Sequence, residues 1–168
     1  MIKIVFIGPE SSGKSTLASL ISKKLNCILV SEYSRKYLAD KPNYTLDDLL
    51  KIAKRQHQDL KKNLNKDYKF LISDTCTIDI EIWSEVKFKT LNAEIKKMSE
   101  KEKFDIYFLC KPDIPWEKDP LRENPNDRNF LFNKFKEKLS NRKIKYHSVK
   151  GKIENRLTYC LDIILGNK

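Results

Sequence analysis

No apolar stretch in this chain approaches the ~20 residues that a membrane-spanning helix requires. The four cysteines, Cys27, Cys76, Cys110 and Cys160, are far apart and form no C-x-x-C pair. That spacing argues against a zinc ribbon or a dithiol redox motif. Three of them lie in or beside apolar segments and read as buried, reduced thiols. The two histidines, His57 and His147, stand apart from any metal-ligand spacing and support no Ser-His-Asp arrangement. Internal repeats, low-complexity tracts and linkers are missing too. The first apolar run begins at residue 2, which leaves no room for a signal peptide, so the expectation is a cytoplasmic protein.

What is present is one domain's worth of chain. At 168 residues it can bury roughly 70% of its unfolded surface without staples. Its formal net charge is +11. Lysine-rich stretches at 61–69 and 133–145 invite a nucleic-acid reading, but acidic and amide residues alternate with the lysines, and no interleaved aromatics form a stacking platform. A solvated basic exterior is the better reading, and nucleic acid is not an expected partner. Part of the excess charge would favour an anionic substrate.

Glycine is scarce, with four in the chain, and two of the four stand five residues apart. Residues 8–15 read Gly-Pro-Glu-Ser-Ser-Gly-Lys-Ser, which satisfies G-x-x-x-x-G-K-[ST] at every fixed position. An apolar run, Ile2 and Ile4 to Ile7, precedes it, and helical spacing follows from Ser15 to Leu25. In such a strand–loop–helix, successive backbone N–H groups and the helix N-terminus converge on polyphosphate oxygens. The expected phosphate-binding set is Gly8, Glu10, Ser11, Ser12, Gly13, Lys14, Ser15 and Thr16. Lys14 would reach the β- and γ-phosphates of ATP, and the Ser15 hydroxyl would ligate Mg²⁺.

Strand and helix signals alternate through the rest. Residues 27–30, 68–73, 104–110 and 144–149 read as further strands. Helical pattern fills 33–39, 45–64, two segments within 78–101, 127–141 and 152–165, with Phe130, Leu131, Phe135 and Leu139 turned inward. Thr45-x-x-Asp48 reads as a capping box. Lys111–Asn126 carries four prolines and no hydrophobic period; a loop that long is usually a lid or binding segment. The pattern predicts a single domain over 1–168: a three-layer α/β/α fold of P-loop NTPase type, with a five-stranded parallel sheet and a lid at about 111–128.

Open α/β sheets bind ligands beyond the carboxyl ends of their strands. Asp74 follows the third strand, where it suits a partner of Mg²⁺, a general base, or simply a helix cap. Glu32 follows the second strand and is another candidate base, a hydrogen-bonding partner for substrate hydroxyls, or an exposed turn charge. Arg35 could hold a phosphate or sit on the surface. In the lid, Arg122 or Arg128 could stabilise charge on a transferring phosphoryl group. Tyr33, Tyr37, Trp83 and Trp116 lie near the predicted mouth, where a flat base or pyridinium ring could stack; packing under loops is the alternative.

These residues resemble the ribosylnicotinamide kinase domain of NadR-type NAD-salvage proteins, a branch of the P-loop kinases. The resemblance runs through Gly8 to Thr16, Ser31-Glu32-Tyr33-Ser34-Arg35-Lys36-Tyr37, Lys51-Ile52-Ala53 to Gln56 and Ile72-Ser73-Asp74-Thr75. It continues through Phe104 to Leu109, the lid block Pro115-Trp116-Glu117-Lys118-Asp119-Pro120-Leu121-Arg122, and Arg128 with Phe130. It implies ATP and Mg²⁺ as cofactors and nicotinamide riboside as the small-molecule substrate. The implied catalytic residues are Lys14, Asp74, Glu32, Arg122 and Arg128, with Ser15 and Asp74 at the metal. Glu32, Tyr33, Arg35, Trp83 and Trp116 would contact the acceptor. Two positions depart from the family pattern: Cys76 replaces an acidic residue, which bears on metal or substrate binding, and Pro120 replaces glycine, which implies a stiffer lid. Larger members carry a nucleotidyltransferase domain before the kinase. With the phosphate loop at residue 8, the expectation is a chain that makes nicotinamide mononucleotide without adenylylating it.

Overall fold

In β1 (Ile2–Ile7), Ile4 and Phe6 face one layer of helices while Val5 and Ile7 face the other, and all four are fully buried. A strand covered on both sides needs apolar residues at every position, so it reads as a continuous run rather than an alternation. The computed structural model describes every residue except Pro42, Pro120, Leu121, Asn124, Pro125, Asn167 and Lys168. After β1 come α1 (Lys14–Lys24), β2 (Ile28–Val30), α2 (Tyr33–Tyr37), α3 (Leu46–Asn63) and β3 (Phe70–Asp74). Then follow α4 (Thr77–Phe88), α5 (Ala93–Lys101), β4 (Ile106–Cys110), α6 (Arg128–Asn141), β5 (His147–Val149) and α7 (Ile153–Leu165).

The strands lie in the order β2-β3-β1-β4-β5, and all four pairings are parallel. Phe6 pairs with Asp74 and Ile7 with Leu109, so the carboxyl ends of the three central strands finish at the same edge. The loops leaving that edge build the site. On one face, α1 and α7 bring Leu17, Ala18, Ile21, Cys160 and Ile164 onto Ile4, Phe6 and Phe108. On the other, α4 and α6 bring Ile78, Ile82, Leu131, Phe135 and Leu139 onto Val5, Ile7 and Leu109. Each of the leucine, isoleucine and phenylalanine side chains among these, fully buried, contributes about 1.5–3 kcal/mol. The three-layer α/β/α fold with a five-stranded parallel sheet is therefore present as the alternation predicts.

The capping box at α3 forms as expected. The Asp48 N–H donates to Thr45 Oγ1 at 3.4 Å, and the Thr45 N–H donates to Asp48 Oδ2 at 2.8 Å. The two helical segments expected within 78–101 form as α4 and α5, and Asn92 caps the second. Two readings need correction. Phe130 points outward and is 51% exposed, because the buried stripe of α6 runs through Leu131, Phe135 and Leu139. Successive helical residues differ by 100°, which turns Phe130 off that stripe. The fifth strand is confined to His147–Val149; Ile144 and Tyr146 pack against the core without joining the ladder. Among the described residues, no helix is long and apolar enough to cross a membrane.

Candidate active site

Gly8 leaves β1 with φ +135°, and a Cβ there would meet the Cys110 carbonyl oxygen of the neighbouring strand at 2.7 Å. Only glycine lets the loop start so close to β4. Gly13 precedes α1 at φ +82°. The first turn of α1 carries no acidic side chain, so its positive end stays available to an anion. Lys14 folds over the loop: its ammonium donates to the Gly8 and Pro9 carbonyls at 2.7 and 2.8 Å. The buried Ser12 hydroxyl donates to Pro9 O at 2.7 Å, which makes that side chain part of the loop's own frame. From behind, the fully buried Arg156 of α7 donates to the carbonyls of Ser12 (2.7 Å), Gly151 (2.7 Å) and Lys111 (3.0 Å) and pairs with Asp113.

Asp74 ends β3 directly beside this loop. It is 5% exposed, it accepts the Ser15 hydroxyl, and its Oδ1 has no hydrogen-bond partner. Burial and then repulsion from Glu32 push its carboxyl up to about 6, against the pull of Ser15, Lys14 and Arg35. It does not cap α4. That role falls to Cys76, whose side chain accepts an N–H from the first turn while Asp79 reaches back to the Cys76 N–H at 3.1 Å. Between them Thr75 adopts φ +70°, a conformation that a β-branched residue holds only under strain of about 1–3 kcal/mol.

Asp79 is the principal functional candidate that sequence reasoning passed over. Its Oδ1 accepts the Gly8 N–H at 3.3 Å, which ties α4 to the start of the phosphate loop. Desolvation pushes its carboxyl up to about 7, although Lys14 and the two N–H donors act the other way. The signal was a capping-box spacing, Cys76-x-x-Asp79, disguised by a cysteine where serine or threonine is usual.

A cavity of about 420 Å³ opens over the loop. At one end it is lined by residues 8–16, and at the other by Ile82, Trp83, Val86, Leu131 and Phe135, with Asp79, Glu32 and Arg35 between. The lid lies across it. Glu10 accepts the Trp116 indole N–H at 3.1 Å and the Glu123 backbone N–H at 2.9 Å. Ser11 Oγ accepts the Glu117 N–H at 3.1 Å, and Arg35 pairs with Asp119 at 2.8 Å. Glu123 in turn pairs with Lys87 at 2.5 Å and accepts the Tyr44 hydroxyl at 2.9 Å. The Lys87 ammonium stands 3.7 Å from the centre of the Tyr44 ring.

A family model described as an AAA domain, AAA_28, matches residues 3–156. The chain belongs to this family. The AAA_28 chain is 24% identical over 169 residues to the trifunctional NAD biosynthesis/regulator protein NadR of Salmonella typhimurium. That match covers 96% of this chain and 41% of NadR, so the chain spans less than half of its relative's length. Among solved structures, NadR protein in complex with NR superposes with a TM-score of 0.82 at 16% identity, over 98% of this chain and 51% of that one. Thymidylate kinase from Ehrlichia chaffeensis gives 0.74 at 15% identity, over 98% of both chains. Deoxyadenosine kinase from M. mycoides gives 0.70 at 15%, over 98% and 100% respectively. These likenesses establish the fold, that of the P-loop nucleoside and nucleotide kinases.

In this AAA_28 chain the expected residues divide. Gly8 to Thr16, Glu32, Arg35, Trp83 and Arg122 line the cavity, and Asp74 stands behind Ser15. Arg128, Tyr33 and Trp116 do not line it. Arg128 donates to the Ser11 and Ile114 carbonyls at 3.1 and 2.9 Å, so it fastens the lid. Tyr33 packs on α3 beneath Arg55, 5.2 Å from the ring centre, because the first turn of α2 leans toward that helix. Trp116 turns its indole N–H to Glu10. Arg122 donates to the Glu117 carbonyl at 2.5 Å while its Nε is buried without a partner. Pro120, the second departure from the family pattern, lies outside the described residues. Burial pushes the thiols of Cys76, Cys110 and Cys160 up, which leaves them unreactive at neutral pH.

Proposed function

We propose that this chain transfers the γ-phosphoryl group of ATP to the 5′-hydroxyl of nicotinamide riboside, giving nicotinamide mononucleotide and ADP. The observation that carries this reading is a single cavity that joins a phosphate-loop floor to an aromatic-walled slot, with the half-buried carboxylates of Glu32 and Asp79 between. The relation to NadR along 96% of the chain supports the choice of acceptor.

The amides of residues 8–16 and the N-terminus of α1 bind the triphosphate. Lys14 leaves its own loop carbonyls for the β- and γ-oxygens. Ser15 with Asp74, whose Oδ1 is an orphaned buried acceptor, fits the hydroxyl-and-carboxylate set that holds Mg²⁺. That ion would neutralise phosphate charge. Asp74 or Glu32 accepts the acceptor's hydroxyl proton as the oxygen attacks phosphorus and the bond to the ADP oxygen breaks. A carboxyl raised to about 6 suits a base working near neutrality. Arg122, which lines the same cavity, would spread the charge of the transferring group. Positioning and electrostatics do most of the work in such a transfer.

The fold is shared along nearly the full length of thymidylate kinase and deoxyadenosine kinase, and this supports a second reading as another nucleoside or nucleotide kinase. Purified protein with Mg-ATP and an acceptor panel separates the two. Mononucleotide formation from nicotinamide riboside, in preference to deoxynucleosides, thymidylate, shikimate and gluconate, is the expected result. Preferential turnover of another acceptor sinks the first reading, and ATP consumption that no acceptor stimulates sinks both.

A further inference from the structure

Asp79, Ile82, Trp83 and Val86 follow one another at i, i+3, i+4 and i+7 along α4, and all four line the cavity. That spacing places them on one stripe of the helix, with the carboxylate nearest the phosphate loop and the indole one turn beyond. The other acids of the acceptor end are neutralised. Glu32 pairs with Arg35 at 3.4 Å, and Glu123 with Lys87 at 2.5 Å. Asp79 has the two backbone N–H donors of Gly8 and Cys76 as its hydrogen-bond partners, and among the described residues no cation pairs with it. Two N–H bonds occupy about half of a carboxylate's four lone-pair sites. The acceptor slot thus keeps one carboxyl that no ion pair holds, set against an aromatic and aliphatic wall, with Lys14 of the phosphate loop as the main opposing charge that acts on it.

We infer that Asp79 is a specificity-determining residue that selects an acceptor whose flat ring carries a positive charge. The inference rests on the kinase reading above and adds a reason why the acceptor end prefers a pyridinium to a neutral base. A cation seated on the Trp83 side gains from the ring face, favours the ionised form of Asp79, and gains from that charge as well. A neutral ring of the same shape strips water from Asp79 and returns nothing for it.

The pair of acceptors that isolates this effect is nicotinamide riboside and its 1,4-dihydro form, which share one sugar and nearly one shape but differ by the ring charge. For the wild-type protein, kcat/KM for the cationic form is expected to exceed that for the neutral form by about tenfold or more. Asp79→Asn, which keeps the size of the side chain, is expected to bring the ratio close to one. A structural role alone would lower both acceptors together and leave the ratio where it was, and that result overturns the inference. So does a variant whose ratio holds while its Mg²⁺ requirement rises, since Asp79 would then serve the phosphate end. Equal use of both acceptors by the wild type overturns the inference while the kinase reading stands, and it decides the matter even if the variant fails to fold. Turnover of neither acceptor removes the nicotinamide riboside reading and this inference with it.

Discussion

The two ends of the cavity are assembled by different rules. The phosphate end comes from consecutive residues, Gly8 to Thr16, and its chemistry rests largely on backbone amides and one helix terminus. The apolar end gathers Ile82, Trp83 and Val86 from α4 with Leu131 and Phe135 from α6, some fifty residues later, under a lid fastened at Glu10. A backbone site can be written as a short motif and reused with any acceptor. A side-chain site exists only after helices pack, so it is where one member of a fold comes to differ from the next.

If that division is right, changes at the phosphate end strike every acceptor alike. Lys14→Met is expected to lower kcat/KM about 10³-fold for whichever acceptor is used, with little change in melting temperature. An effect confined to one acceptor would break the distinction. Trp83→Leu, at the other end, is expected to raise the acceptor KM about tenfold while the ATP KM stays within about twofold. Steady-state kinetics with each substrate varied in turn measure both.

The smallest expected effect lies at the seam. Folded Asp79 keeps its proton up to about 7, against an ordinary value of 3.8. Between those values the native state binds more protons than the unfolded chain, so this group's share of stability falls as pH rises from about 4 through 7 and then levels off. Partial solvent access reduces the expected contribution to about 1 kcal/mol. Asp79→Asn should flatten that part of the dependence of melting temperature on pH between 5 and 8. An unchanged slope would mean that Asp79 is ionised throughout.

The sheet, the phosphate loop and the Thr45 cap were legible in the sequence because each depends on near neighbours: a two-sided apolar strand, a turn between strand and helix, a side chain three residues from its partner N–H. Phe130 was misplaced because helix α6 is aromatic on more than one side and the pattern alone does not say which side is covered. Asp79 was missed because its cap partner is Cys76 and its other partner, Gly8, lies 71 residues away. Arg128 and Arg122 looked equivalent in the lid. What separates them is a pair of carbonyls, Ser11 and Ile114, that capture the Arg128 guanidinium only once the loop folds back.

Arg156 has a consequence for the other end of the chain. It belongs to α7, no residue of which lines the cavity, yet its guanidinium holds the carbonyls under Ser12, Lys111 and Gly151 in register. Shortening the protein before α7 would strand those buried oxygens and slacken the triphosphate cradle from below, although every motif residue would still be in place. The closing helix works as a keystone for a loop encoded nearly 150 positions earlier, and the two would have to change together.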